Sequence, residues 1–168
     1  MKKILFIDRD WTLIQEPPIT FQVNSLEEMV FLPKVISSLL KIVEAGYELV
    51  IVTNQDGLGT DANPRKNYEK INKKMLEIFK WESIEFSEIF ECPHFPEDNC
   101  ECRKPKKWIL WDFLDRENID LKKSYMIWDR ETDEEFAKNI WVKFEKVVFG
   151  SKSDNWENIT NKIIKWST

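Results

Sequence analysis

Glycine is scarce in this sequence: there are 4 in 168 residues, where the usual share of about 7% would give about 12. Long apolar runs are missing too. None approaches the ~20 residues that span a bilayer, so a membrane is not an expected partner. After Met1-Lys2-Lys3 only Ile4 to Ile7 are apolar before Asp8, too few for the ~7–15-residue core of a secretory signal. Positive charge is not in excess. A net charge of −5 argues against nucleic acid, whose backbone attracts clustered Lys and Arg. No repeat, low-complexity tract or linker interrupts the chain, so one domain over 1–168 is expected. A domain near that size buries about 70% of the surface its unfolded chain exposes. The composition, 42% hydrophobic and 33% charged, is that of an ordinary soluble protein. A cytoplasmic location is expected, where thiols stay reduced. Oligomeric state is not legible in the pattern.

What is present alternates between two periodicities. Ile4 to Ile7 is a short continuous apolar run, as in a strand covered on both faces. Pro33 opens a helical pattern through Val35, Ile36, Leu39, Leu40 and Val43, closed by Gly46 where a helix-ending glycine belongs. Tyr47 to Val52 reads as a second strand, 64–81 as a helix, Phe86 to Cys92 as a third strand and 106–117 as a helix. Ser124 to Ile127 reads as a fourth strand, 132–140 as a short helix, Lys143 to Phe149 as a fifth strand and 156–166 as a closing helix. Strands alternating with helices predict an α/β fold, a doubly wound parallel sheet.

In such sheets ligands bind beyond the carboxyl ends of the strands. Asp8 and Asp10 follow strand one, Thr53 and Asn54 strand two, Lys104 strand three and Asp129 strand four. Three carboxylates, a hydroxyl and an ammonium on one edge suit a cation together with a phosphate. Hard Mg²⁺ takes oxygen ligands and keeps waters and substrate phosphate. Asp8, Asp10 and Asp129 are its candidate ligands. Thr53, Asn54 and Lys104 are candidates to bind the phosphate. A carboxylate that attacks phosphorus forms an aspartyl-phosphate, the role assigned to Asp8. A second carboxyl nearby can protonate the leaving group and then activate water, the role assigned to Asp10.

Asp8-x-Asp10-x-Thr12, Thr53-Asn54, Lys104-Pro105 and Asp129-x-x-x-Asp133 resemble, in order, the four motifs of the haloacid dehalogenase phosphatases. EPP at 16–18, FQV at 21–23, VTNQDGLGT at 52–60, CPHFPEDNC at 92–100 and DRETD at 129–133 are similar to the histidinol-phosphate phosphatases. That family resembles the N-terminal domain of a bifunctional histidine-biosynthesis enzyme. The resemblance implies a Rossmann-like fold with a small or absent cap. It also implies Mg²⁺-dependent hydrolysis of a small phosphomonoester, L-histidinol phosphate. Glu16 and Gln22 are candidates to meet the amino or imidazole group of that substrate. The heptose-bisphosphate phosphatases are the nearest rival, although their motif after strand two resembles NQSG followed by arginine, against Asn54-Gln55-Asp56-Gly57 here. A nucleic-acid 3′-phosphatase is related in motif but suits the negative charge poorly. An inactive zinc-stabilised binding module is a reading from a different class.

All three cysteines and the single histidine fall in one short stretch: Cys92, His94, Cys100 and Cys102. Three thiolates and an imidazole make a complete tetrahedral set for a closed, structural Zn²⁺ site. A disulfide would leave one cysteine over and conflicts with a reducing location. Unconnected thiols with a surface histidine are the plainer alternative. The family resemblance implies zinc here as well.

The 8 tryptophans are the counterpart of the missing glycines. Trp11, Trp108, Trp128 and Trp141 stand where the family pattern has glycine. Some bacterial codes read UGA as glycine, and translating that codon as tryptophan would give this pattern. UGG codons at all four positions would end the idea. Trp156 matches the family and is expected to be genuine; Trp81, Trp111 and Trp166 are unassigned. On this reading, replacing Trp11 and Trp128 together by glycine raises activity.

Overall fold

The computed structural model describes residues 1–148 and 155–166. Five parallel strands form one sheet in the order β3-β2-β1-β4-β5, with β1 Lys3–Ile7, β2 Tyr47–Asn54, β3 Phe86–Cys92, β4 Tyr125–Trp128 and β5 Lys143–Lys146. The helices are α1 Val35–Glu44, α2 Arg65–Trp81, α3 Trp111–Arg116, α4 Glu131–Asn139 and α5 Asn155–Lys165.

Side chains along β1 alternate between two cores, because successive residues of a strand point to opposite faces. Leu5 and Ile7 join Leu39 of α1, Met75 and Phe79 of α2, and Ile159 and Ile163 of α5. Ile4 and Phe6 join Phe113 of α3 and Phe136 of α4. Each fully buried side chain of this kind contributes about 1.5–3 kcal/mol relative to exposure. The central strands β1, β2 and β4 are buried almost throughout, whereas β5, at an edge, is mostly exposed.

The differences from the expected elements are local. Strand β2 runs two residues further, to Asn54, because Thr53 and Asn54 still pair with β3. Strand β4 is displaced by one residue and ends on Trp128. The helix expected over 106–117 is a 3-10 turn, Lys107–Leu110, followed by α3; its entrance at Lys106 has no side-chain cap. Strand β5 stops at Lys146, and Phe149 lies outside the described residues. Gly46 closes α1 with φ +83° and donates its N–H to the Val43 carbonyl at 2.8 Å, the left-handed cap that glycine adopts without strain.

The chain runs outward from β1 through β2 to β3, then returns to place β4 on the other side of β1. The strand order reverses between β1 and β4, and a crevice opens there at the carboxyl ends. That crevice receives Asp8, just after β1, and Asp129, just after β4.

Candidate active site

Two adjoining cavities occupy the crevice. The first, about 310 Å³, is lined by Asp8, Asp10, Glu16, Asn54, Lys104, Arg130 and Asp133, among others. The second, about 270 Å³, shares Asp10, Glu16, Asn54 and Arg130. It extends between Thr20, Phe21 and Gln22 on one side and Asp56, Asn63 and Phe95 on the other. Thr53 lines neither; it is buried and accepts a hydrogen bond from Gln55 at 2.9 Å.

Lys104 is the hub of the first cavity. Its buried ammonium touches Asp8 Oδ1 at 2.7 Å, Asp133 Oδ1 at 2.6 Å and the Val52 carbonyl at 2.8 Å. Burial opposes its charge, but Asp133 and Asp8 outweigh that, and its pKa lies above the ordinary lysine value. Its main chain is held by Asn54, whose amide donates to the Lys104 carbonyl at 3.3 Å and accepts from the Lys104 N–H at 3.0 Å. Asn54, expected as a phosphate ligand, therefore fixes the lysine that faces the cavity.

The carboxylates that converge are Asp8, Asp129 and Asp133, with one oxygen of each within 4.8 Å of the others. The sequence pattern groups Asp8, Asp10 and Asp129. Asp10 is instead turned aside: Arg9 donates to its Oδ1 through Nε at 3.0 Å and Nη2 at 2.8 Å, and Gln55 donates to its Oδ2 at 2.6 Å. Asp133 was visible only as the last residue of the fourth motif. Its position on the first turns of α4, facing Lys104, is what the sequence did not show.

Five carboxylates here face three cations: Arg9 with Asp10, Lys104 with Asp8 and Asp133, and Arg130 with Glu16 at 3.1 Å and Asp129 at 3.7 Å. Fully ionised, these groups carry two more negative charges than positive, the charge a divalent cation supplies. Their excess shows in the acidities. Burial first, then Asp133, Asp129 and Asp10, push Asp8 up to about 8 against the opposing pull of Lys104. Burial also lifts Asp129 to about 6, with Arg130 opposing. Glu16 is lifted to about 7 by burial and Asp10, opposed by Arg130 and by a hydrogen bond from the Trp11 indole. An oxygen-rich, charge-deficient cluster of this sort fits a hard cation.

The second metal-competent group is Cys92, His94, Cys100 and Cys102. The sulfur pairs lie 3.1–3.5 Å apart, and His94 Nδ1 is 3.2 Å from Cys102 and 3.6 Å from Cys92. Tetrahedral zinc with Zn–S of about 2.3 Å needs donor separations slightly under about 4 Å. The four atoms fit. No disulfide joins the three cysteines. This loop is tied to the segment after β2: Gln55 and Leu58 donate N–H groups to the Cys92 and Pro93 carbonyls, and Arg103 pairs with Asp56 at 2.6 Å. A side chain at Gly57 would collide with the Phe95 ring.

The tryptophans separate into classes. Trp11 has φ 55° and Trp141 φ 65°, the left-handed region that bulky residues avoid. Trp141 follows α4 as Gly46 follows α1. Trp128 is buried, with no partner for its indole N–H. Trp108 is exposed, has ordinary φ and stacks on Trp111 at 4.9 Å. Trp156 is buried and donates to the Thr12 carbonyl at 2.9 Å, as a native tryptophan should.

The family model described as polynucleotide kinase 3 phosphatase matches residues 3–148. The chain belongs to that family. It is 50% identical over 165 residues to the histidine biosynthesis bifunctional protein HisB of Buchnera aphidicola subsp. Acyrthosiphon pisum (strain Tuc7), covering 97% of this chain and 45% of that protein. It is 46% identical over 163 residues to HisB of Campylobacter jejuni subsp. doylei, again 97% of this chain and 45% of that protein. The chain spans somewhat less than half the length of these relatives. Among solved structures, D,D-heptose 1,7-bisphosphate phosphatase from B. bronchiseptica, complexed with magnesium and phosphate, superposes with a TM-score of 0.82 at 22% identity, over 98% of this chain and 99% of that one. The enzyme of that name from Burkholderia thailandensis gives 0.65 at 15%, over 97% and 99%. These structures place the phosphatase family member in the haloacid dehalogenase fold. Among the described residues no helix is long and apolar enough to cross a membrane.

Proposed function

We propose that this chain is a Mg²⁺-dependent phosphomonoester hydrolase whose substrate is L-histidinol phosphate, released as L-histidinol and phosphate. The observation that carries the reaction class is the Asp8–Lys104–Asp133 cluster, with Asp129 beside it, at the point where the strand order reverses. The substrate rests on identity: half the residues match the HisB proteins, against about a fifth for the heptose-bisphosphate phosphatase that shares the fold. The net charge of −5 disfavours a polynucleotide. The reading places the protein in the cytoplasm.

Asp8 attacks phosphorus, and Lys104 holds its carboxylate and faces the charge of the transferred group. Asp10 protonates the leaving oxygen and later takes a proton from the attacking water. Mg²⁺ would be held by Asp8 and Asp129, where Asp133 also converges, and when bound would offset phosphate charge; Asp10, the third candidate ligand, has its carboxylate committed to Arg9 and Gln55. Glu16, Gln22 and Asp56, lining the second cavity, suit a leaving group that carries an ammonium. The cation of Arg130 holds Glu16 until such a group arrives.

The test is phosphate release from a panel holding L-histidinol phosphate, D,D-heptose 1,7-bisphosphate, p-nitrophenyl phosphate and a 3′-phosphorylated oligonucleotide. The highest kcat/KM belongs to L-histidinol phosphate, and EDTA abolishes it. A preference for the heptose would transfer the chain to the rival branch. No release from any of the four would leave the inactive binding module.

The Cys92–His94–Cys100–Cys102 group holds structural Zn²⁺ in this reading. The loop has little apolar content, so metal binding supplies its order. Cys100→Ser should raise amide exchange across 92–104 before the sheet melts, and weaken phosphate binding because Lys104 ends that segment. Purified protein containing no zinc, with three freely titratable thiols, would remove the site.

A further inference from the structure

Most of the polar residues in the crevice have a place in the phosphate and cation sites proposed above. Arg9, Gln55 and Tyr68 do not, and all three are buried. Arg9 and Gln55 hold Asp10, and Tyr68 lies against Arg9. Arg9 places two N–H groups on Oδ1, at 3.0 and 2.8 Å, and Gln55 places its amide on Oδ2 at 2.6 Å. Neither donor is free to wander. The Arg9 guanidinium lies over the Tyr68 ring, 4.8 Å from its centre, an arrangement that stabilises a buried cation. The Gln55 amide is also tied to Thr53 Oγ1 at 2.9 Å. Asp10 is thus aimed by residues from the segments after β1 and β2, with Arg9 braced in turn by Tyr68 of α2.

We propose that Arg9 and Gln55 are the positioning residues for Asp10, and that Gln55 decides how well the enzyme handles leaving groups that need a proton. The inference rests on the phosphatase reading above. In the first step the Asp8 oxygen bonds to phosphorus and the bond from phosphorus to the leaving oxygen breaks. The electron pair of that bond stays on the leaving oxygen. The proton of Asp10 moves onto it, so a neutral alcohol departs and Asp10 remains as a carboxylate. Three donors on two oxygens are the set a carboxylate wants, not a carboxylic acid, which must give one of its lone pairs to a proton. The donors therefore strengthen as the proton leaves, and interactions stronger in the transition state than before it accelerate the step. They also stop the carboxylate from turning towards Asp8, where it would add a fourth charge to Asp8, Asp129 and Asp133.

The sequence holds part of this. Gln55 stands one residue beyond the Thr53-Asn54 motif, and Arg9 lies between the two aspartates. Nothing in their spacing says that both end on one side chain.

The experiment compares kcat/KM for L-histidinol phosphate, an alkyl ester whose oxygen needs a proton, with p-nitrophenyl phosphate, whose oxygen leaves without one. Both are measured with Mg²⁺ present, for the unmodified chain, Gln55→Met and Gln55→Glu. General acid catalysis supplies roughly 100- to 10,000-fold, and losing one of the positioning bonds forfeits part of it. The expected loss in Gln55→Met is about 30-fold on the alkyl ester and no more than about threefold on the aryl ester. Gln55→Glu keeps the length but replaces the donor by a carboxylate, and should show at least the same selectivity; it carries the test if the methionine variant does not fold. Equal losses on the two esters in the folded variants would reduce Gln55 to a structural role and overturn the proposal, as would no loss at all. If the unmodified chain hydrolyses neither ester, the phosphatase reading falls and takes this one with it. If it hydrolyses both and the variants do not discriminate, only the positioning role fails.

Discussion

Asp8→Asn is expected to abolish phosphate release, lowering kcat by at least about 1,000-fold, without unfolding the protein. The amide keeps the shape of the carboxylate but is far too weak a nucleophile to form the phosphoenzyme. Stability should hold or rise. Asp8 is one of three carboxylates gathered around a single ammonium, and its acidity is suppressed by burial and by its neighbours. Removing that charge relieves the repulsion while Lys104 keeps Asp133 at 2.6 Å. Asp10→Asn behaves differently, retaining slow phosphorylation by activated aryl esters because their leaving group needs no proton. Rates and thermal melting of the two variants side by side check the assignment. Near-normal turnover by Asp8→Asn would place the nucleophile elsewhere.

The second large effect concerns the tryptophans, and the structure divides them. Trp11 sits at φ 55° between Asp10 and Thr12, with its indole on Glu16. A left-handed backbone costs a side-chain-bearing residue roughly 1–2 kcal/mol, and glycine adopts it freely. Trp11→Gly should raise kcat/KM by about tenfold, since a misplacement near 1 Å in such a site can cost roughly 100-fold. Trp141, at φ 65° and mostly exposed, loses almost no packing on replacement. Trp141→Gly should raise the melting temperature by a few degrees, the response to about 1 kcal/mol in a domain of this size. Trp128 runs the other way. Its unpaired indole N–H costs about 1–3 kcal/mol, yet truncating a buried aromatic costs about 3–5 kcal/mol. As a single change in this fold, Trp128→Gly is expected to destabilise. The expectation that positions 11 and 128 act alike is therefore revised. The glycine reading concentrates on 11 and 141, and UGA codons at those two positions are its signature. Unchanged activity and stability in Trp11→Gly and Trp141→Gly would show that the fold carries both indoles without strain.

The sheet was legible because its central strands are apolar without interruption. A strand buried on both faces reads as one continuous apolar run, so Ile4 to Ile7 and Leu49 to Val52 could be placed without knowing their neighbours. The edges were harder. Strand β5 is short and exposed, and its apparent continuation through Val147 and Val148 is not strand. In the site, chain order gave which residues meet, since every strand delivers its polar groups to one end. It did not give which way they turn. Asp10 points to Arg9 and Gln55 because of a buried cation and an amide 45 residues away. Arg130 reaches Glu16 across 114 residues. No local spacing encodes either contact.

The contact between Phe95 and Gly57 bears on how such enzymes diversify. One wall of the second cavity is made by Phe95, on the loop seated on the segment after β2. The loop begins and ends on residues anchored to the sheet, Cys92 and Lys104. A change within its interior would alter the outline of the second cavity through Phe95, while Asp8, Lys104 and Asp129 lie outside that interior. The bare backbone of Gly57 is what lets the Phe95 ring come to rest there, and a side chain at that position would force the ring, and the cavity wall with it, to move.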